Sequence, residues 1–244
     1  MHIPRIYLSH PLTANQELTL PEKAFHHVIR VLRHKPGGYL ILFNGEGGEF
    51  HATLERVDRH TATVRVEKYV DREAESSLKI TLAQSIAKGV RMDYSLQKAT
   101  ELGVDRILPL ITARSMVNLP KDQLAKRLLH WRKVVISACE QCGRNRVPTI
   151  LTPINYFDWL HSPCKEDIAL MLNPGADKSL TELSPPISSI VLLIGPEGGL
   201  TSDETSAAKA AGFIDIRMGP RILRTETAGV AALAALQTLW GDLN

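Results

Sequence analysis

The sequence predicts a mixed α/β fold, in which a mostly parallel sheet carries helices on both faces and follows a small β-rich domain. Three observations predict it. Between residues 190 and 240 a short β-branched run, a glycine-containing turn and an Ala-rich helical segment follow one another twice. From residue 78 onward, apolar runs short enough to be buried strands alternate with stretches of helical periodicity, which is the pattern of a parallel sheet. Ahead of residue 69 the chain reads instead as short strands joined by glycine-bearing turns.

Residues 22–34 read as a helix, with Phe25, Val28, Ile29 and Leu32 on an apolar stripe and His26, Arg30 and Arg33 on a basic one; Pro36-Gly37 ends it. Strands over 39–43, 50–57 and 61–66 follow, and Asn44-Gly45 marks a hairpin between the first two. The string YVDREAESS at 69–77 loses all periodicity and is the expected linker, dividing the chain into domains 1–73 and 74–244. Beyond it come a strand over 78–84, a helix over 93–102 with Asp93 as N-cap and Gly103 as stop, and a strand over 106–111. Leu124, Leu128, Val135 and Ala138 recur at helical spacing within a long helix expected over 121–142. A strand over 168–172 runs into Asn173-Pro174-Gly175 and a loop rich in Ser and Pro. After the strand 190–194 and its turn, Thr201 and Glu204 form a T-x-x-E capping box that starts a helix, and Gly212 stops it. A strand over 213–218, a second glycine turn and a helix over 226–240 complete the chain, with the two turns expected side by side. The last helix is apolar on nearly all sides, so wide burial is expected, against its own sheet and a partner subunit.

At 244 residues, 44% hydrophobic and 23% charged, the composition is that of an ordinary globular protein of one large or two modest domains. No apolar run approaches the ~20 residues of a membrane span, and residues 1–5 open no signal peptide, so a cytoplasmic location is expected. A net charge of +3 is too small to establish a nucleic-acid partner, but its distribution is uneven. Between residues 114 and 148 eight Lys or Arg (among them Arg114, Arg144 and Arg146) face two acids. Seven of the nine histidines fall in the first sixty residues. Basic segments of this kind are expected to contact RNA phosphates and to make binding salt-dependent.

Cys139-x-x-Cys142 and His161-x-x-Cys164 carry the residue types of a zinc site. The first pair closes a long helical segment and the second flanks Pro163 without knuckle glycines, so reduced, unligated thiols and no metal are expected.

The two turns are the expected ligand site. They read Gly195-Pro196-Glu197-Gly198-Gly199-Leu200 and Gly219-Pro220-Arg221-Ile222-Leu223-Arg224-Thr225. In an open parallel sheet, ligands lie beyond the carboxyl ends of the strands, where helix amino ends and free amides converge. The spacing G-x-x-G-G is not the dinucleotide signature, and no Gly-Lys-Ser/Thr follows to cradle a triphosphate. Glu197, Arg221, Arg224 and Glu226 stand among the glycines, and charges beside strand ends are seldom needed for packing.

The strings IGPEGGLTSDE (194–204) and GPRILRTETA (219–228) resemble the two C-terminal motifs of the SPOUT superfamily of S-adenosylmethionine-dependent RNA methyltransferases. RVLRHKPG (30–37), QKATELGV (97–104), ARSMV (113–117) and EQCGR (140–144) extend the resemblance to the ribosomal RNA small subunit methyltransferase E family. The resemblance implies a PUA-like, RNA-binding β-barrel at the N-terminus and a trefoil-knotted C-terminal domain whose threaded piece is about 219–240. It implies a homodimer acting on 16S rRNA of the small ribosomal subunit, at N3 of uridine 1498. Carried onto matching positions, it implies a cofactor pocket of Leu172, Ile194, Gly195, Gly199, Leu200, Met218, Gly219, Ile222, Leu223, Arg224, Thr227 and Ala228. For RNA it implicates Arg30, Arg33 and Lys35 beside the basic 114–148 segment.

Uridine N3 carries a proton at neutral pH, so a base must remove it or cations must stabilise the resulting anion. Arg224 is the expected partner of the uracil oxygens, and Glu197 or Glu226 the proton acceptor. Two other readings stay open at this point: an RNA-binding assembly factor without catalysis, and a SPOUT enzyme acting on ribose 2′-hydroxyls.

Overall fold

The computed structural model describes residues 3–115, 121–162, 165–186 and 188–243, without the side chain of Lys121. Expectations resting on His2, Met116, Val117, Pro163 and Cys164 lie outside the described residues. The chain divides into two compact units, Met1–Glu75 with Ile136–Val147, and Ser76–Val135 with Pro148–Asn244.

The first unit is built on strands β1 (Arg5–Tyr7), β2 (Gln16–Thr19), β3 (Tyr39–Phe43), β4 (Glu49–Val57) and β5 (Ala62–Val70), in the order β1-β3-β4-β5-β2. β3 and β4 form the expected hairpin, in register from Tyr39↔Thr53 to Leu42↔Phe50. Alternate residues Leu40, Leu42, Ala52, Leu54, Val64 and Val66 point into one core with Phe25 and Val28. β5 runs on through Tyr69 and Val70, inside the stretch expected as linker, and the Tyr69 ring packs on Phe50 at 5.2 Å.

The helix expected over 22–34 is different in kind. Helix α1 (Glu22–Phe25) passes into a π-helix, His26–Val31, in which Leu32 N–H bonds to the His27 carbonyl at 2.9 Å. The wider turn keeps Val28 in the core but carries later residues off the apolar stripe, so Val31 and Leu32 are exposed. Arg33 then takes a φ of 52° and leaves the helix.

Charge is buried in this unit, and it is paired. Arg5 donates to Glu49 at 2.6 Å and also to Asn145, whose amide donates to the Arg72 carbonyl at 2.6 Å. Arg144, with 3% of its side chain exposed, donates to both oxygens of Glu75, at 2.9 and 2.5 Å.

The second unit holds β6 (Lys79–Ser85), helix α2 (Val90–Glu101), β7 (Arg106–Ile111), helix α3 (Lys121–Cys142, whose last turns belong to the first unit), β8 (Thr149–Ile150), β9 (Ile154–Asn155), helix α4 (Tyr156–Leu160), β10 (Ile168–Leu172), β11 (Ser189–Ile194), helix α5 (Ser202–Ala210), β12 (Ile214–Ile216) and helix α6 (Thr225–Trp240). The strand order is β12-β10-β11-β6-β7-β8, with β9 also on β7, and every pairing is parallel. Ala83, Met171, Val191 and Leu193 face α4 and α5, packing with Tyr156 and Ala208. The opposite face meets α6, which also packs on α2, so helices cover both faces.

One local expectation is corrected. α2 begins at Val90, with Gly89 at a φ of 56° as the residue before it, because glycine alone makes that reversal cheaply. Asp93 is therefore not the N-cap; it sits in the first turn, suited to the helix dipole, and pairs with His130 at 2.9 Å. In α6 the buried residues form one stripe, Gly229, Ala232, Leu233, Leu236 and Gln237, where it meets α2 and β11. The rest of that helix is only partly covered within this chain, and Leu239 is exposed. Among the described residues no helix is long and apolar enough to cross a membrane.

Replacing Arg144 by Met would leave Glu75 as an uncompensated buried charge, and urea unfolding should lose about 3–5 kcal/mol. A loss below about 1 kcal/mol would show the pair to be no better than an exposed one.

Candidate functional site

The carboxyl ends of β10, β11 and β12 open onto a cavity of about 520 Å³. The strands that lead into the two glycine turns are not neighbours, because β10 lies between β11 and β12 in the sheet. Both turns nevertheless line the cavity, with the loop after β10 contributing Asn173 and Pro174. A short hydrogen-bond chain ties the segments together: Gln84 donates to the Thr225 hydroxyl at 3.1 Å, which donates to the Gly195 carbonyl at 2.7 Å. Thr225 starts α6, so this chain links β6, the first turn and the last helix.

The first turn is held from outside as well. The capping box of Thr201 and Glu204 forms as expected, and the fully buried Glu204 carboxylate accepts from the Ala113 amide at 2.7 Å. The neighbouring Arg114 donates to the Gly198 carbonyl at 2.7 Å. The loop after β10 is fixed by Asp215, which accepts from Asn173 at 3.1 Å and from Lys209 at 2.8 Å.

Of the residues expected around a cofactor, Leu172, Ile194, Gly195, Gly199, Leu200, Met218, Gly219, Ile222, Leu223, Arg224 and Ala228 all line the cavity. Thr227 does not; it lies on the exposed side of the first turn of α6. Gly199 and Gly219 have φ values of 68° and 74°, and a Cβ on either would meet nothing within 4 Å. Open space beside a backbone turn that glycine makes without strain is what close approach of a ligand to main-chain groups requires.

Of the two expected proton acceptors, Glu197 lines the cavity and Glu226 does not. Both are paired with Arg91 from the start of α2, Glu197 at 3.1 Å and Glu226 at 3.9 Å. Sequence reading missed Arg91, which stands more than a hundred positions from either glutamate in a stretch read as following a strand. No local pattern marks it. Asn173 and Thr225 were present in the turns that were singled out, and only their bonds were invisible.

The residues expected at RNA separate in the structure. Arg30, Arg33, Lys35, Arg114 and Arg146 are exposed. Arg30 reaches the Arg59 carbonyl at 3.3 Å, and Arg146 pairs with Glu73 at 3.4 Å. Arg144 departs from the expectation, since it is buried and spent on Glu75. Cys139 is buried beside the Arg146 carbonyl, and burial pushes its thiol up to about 12. Among the described residues no group of three or more His, Cys, Asp or Glu is placed to hold a metal ion, and Cys164 lies outside them.

Comparison with known proteins places this geometry. An RNA methyltransferase domain model matches residues 74–237 and an RNA methyltransferase PUA domain model matches residues 20–67. The ribosomal RNA small subunit methyltransferase E of Buchnera aphidicola (subspecies Schizaphis graminum) is 38% identical over 99% of this chain and 98% of its own. The crystal structure of that enzyme from Neisseria gonorrhoeae, bound to S-adenosyl methionine, superposes with a TM-score of 0.93 at 43% identity, covering all of both chains. A Legionella pneumophila protein solved with bound cofactor SAM gives a TM-score of 0.95 at 41% identity, again over all of both chains.

The Asp215 carboxyl is held below its ordinary value of 3.8, first by the hydrogen bond from Lys209. A depressed folded value adds stability above the unfolded value, and that contribution is lost as pH falls through the folded one. Asp215→Ala should therefore lower the melting temperature at pH 7, with the difference from the parent shrinking below about pH 4. Thermal melts across that range check it; a constant difference would assign the loss to packing.

Proposed function

Because the chain belongs to the ribosomal RNA small subunit methyltransferase E family, we propose that it methylates N3 of uridine 1498 in 16S rRNA, within the assembled small subunit, using S-adenosylmethionine. The observation that carries this reading is the cavity where three parallel strands end, walled by the two glycine turns. Its volume is within the range of small-molecule sites, roughly 300–1,000 Å³. The cytoplasm follows from the substrate.

The residues fit the cofactor. Leu172, Ile194, Leu200, Met218, Ile222 and Leu223 offer apolar walls, while Gly195, Gly199 and Gly219 let backbone amides and carbonyls approach the polar edge of an adenine. When bound, S-adenosylmethionine supplies an electrophilic methyl group on a sulfonium sulfur. The protein's part is to hold donor and acceptor in line and to manage the N3 proton. Arg224 sits on the cavity wall, placed to stabilise charge developing on the uracil oxygens. Glu197 or Glu226 accepts the proton.

Uracil in folded RNA must be splayed out for N3 to be reached. Arg30, Arg33, Lys35, Arg114 and Arg146 would hold the surrounding phosphates, each exposed on its own unit. A homodimer belongs to the same reading, supported by the part-covered face of α6 and by Ile222, which is 85% exposed beside the cavity. So does the threading of residues 219–240 that the family resemblance implies.

Gly199→Val would force a branched side chain into a positive φ beside the cavity. Calorimetry should show S-adenosylmethionine binding abolished, with RNA affinity within about threefold of the parent; equal loss of both would indicate a folding role instead. Replacing Arg30, Arg33 and Lys35 together by Ala should lower the slope of log affinity against log salt by about three. An unchanged slope would remove these residues from the RNA contact.

A further inference from the structure

Arg91 is joined to two carboxylates that enter the site from different segments. Its Nη1 donates to Glu197 Oε1 at 3.1 Å, and its Nε lies 3.9 Å from Glu226 Oε1. The second oxygen of each glutamate is buried and has no hydrogen-bond partner among the described residues. Of these three residues Glu197 and Arg91 line the cavity; Glu226 is not among the lining residues and lies at the start of α6, with 14% of its side chain exposed. A buried carboxylate oxygen without a donor is costly, unless a bound molecule supplies the donor.

We propose that Glu226 and Arg91 form a positioning relay that fixes Glu197 as the proton acceptor of the methyl transfer. The inference rests on the functional reading above and chooses between its two candidate bases. Glu226 anchors the Arg91 guanidinium. Arg91 then restrains Oε1 of Glu197, so that Oε2, which has no donor among the described residues, remains as the acceptor. In the reaction the N3 proton passes to Glu197 Oε2 as the N3 lone pair bonds to the methyl carbon. The C–S bonding pair stays with sulfur, leaving a neutral thioether, and the protonated carboxyl later returns its proton to water. A base held by one oxygen loses less freedom in reaching the transition state than one that swings between rotamers. The arrangement also brings one cation between two partly buried anions, which repel each other without it.

The experiment measures single-turnover methyl transfer to small-subunit particles that lack the modification, at saturating S-adenosylmethionine, with cofactor affinity measured by calorimetry for each variant. Glu197→Gln should slow transfer by about a thousandfold, as expected for loss of a general base. Arg91→Met should slow it by about a hundredfold, while Arg91→Lys, whose amine reaches one carboxylate, recovers at least tenfold of that. Cofactor affinity stays within about threefold throughout, which also shows that the variants fold. Adding Arg91→Met to Glu197→Gln should cost nothing more, because a positioning residue has no effect once the group it positions is gone. Glu226→Gln should behave as a weaker Arg91→Met.

A double variant slower by the product of the two single effects overturns the relay, as does an Arg91→Met protein that transfers at the parent rate. A rate loss matched by loss of cofactor affinity makes Arg91 a binding residue and overturns it equally. If the parent protein binds S-adenosylmethionine but leaves the uridine unmodified, the functional reading fails and the relay fails with it.

Discussion

The hydrogen-bond chain from Gln84 through Thr225 to the Gly195 carbonyl is the constraint on which the site depends. Gln84 is fully buried at the end of β6, Thr225 is 5% exposed at the start of α6, and Gly195 opens the turn after β11. Two bonds thus fasten the last helix to the centre of the sheet, at the level where three parallel strands stop. With α6 fastened there, the turn before it must double back across the end of β10 to reach its strand, and it becomes a cavity wall. A threonine at this position supplies both a donor and an acceptor from one hydroxyl, which neither serine's freer rotamer nor an apolar residue would do as well.

Around that anchor the cavity wall is braced from the outside. Glu204 links the start of α5 to the Ala113 amide, Arg114 bonds the Gly198 carbonyl, and Lys209 with Asp215 holds Asn173. Each brace lies a layer away from the space a ligand would fill. Glycine-rich turns lose much conformational entropy on ordering, so a site made of them needs such external fixing to keep its shape. The same layer explains why Arg114 serves two purposes without conflict: its head bonds to the turn while the residue stays exposed.

Most of the fold was legible because its signals are local. Four buried strands of the second unit, at 79–85, 106–111, 168–172 and 189–194, announce themselves as β-branched or apolar runs between breakers, and the Thr201–Glu204 box marks a helix start by spacing alone. The cavity wall was legible through its two motifs. What escaped depends on wrapping or on distance. The π-helix at 26–31 differs from an α-helix by one residue in its hydrogen-bond spacing, which thirteen residues of pattern cannot resolve, and Gly89 as a helix start is indistinguishable from any loop glycine. Arg144 looked like one more member of a basic segment, because sequence records charge and not burial; Glu75, its partner, stands 69 positions earlier. Arg91 escaped for the same reason, its glutamates lying far ahead in the chain.

Two carboxylates of the first unit and two of the second differ in how they are matched, and the contrast bears on function. In the first, Arg5, Glu49, Asn145, Arg72, Arg144 and Glu75 bond to one another or to main-chain carbonyls, and both carboxylates have donors on hand, while Arg5 Nε and the Nε2 atoms of His10 and His34 are buried without a partner among the described residues. In the second, Glu197 and Glu226 each keep one buried oxygen without a donor, and Gln84 keeps its amide oxygen unmatched beside Thr225. An unmatched buried polar atom costs about 1–3 kcal/mol, so a stretch tuned for stability alone would have lost it. The first pattern is what holds a small β-domain together. The second is what remains when polar groups are fixed in advance for a molecule yet to arrive, and in the second unit it falls on residues that gather where β6 and β11 end and α6 begins.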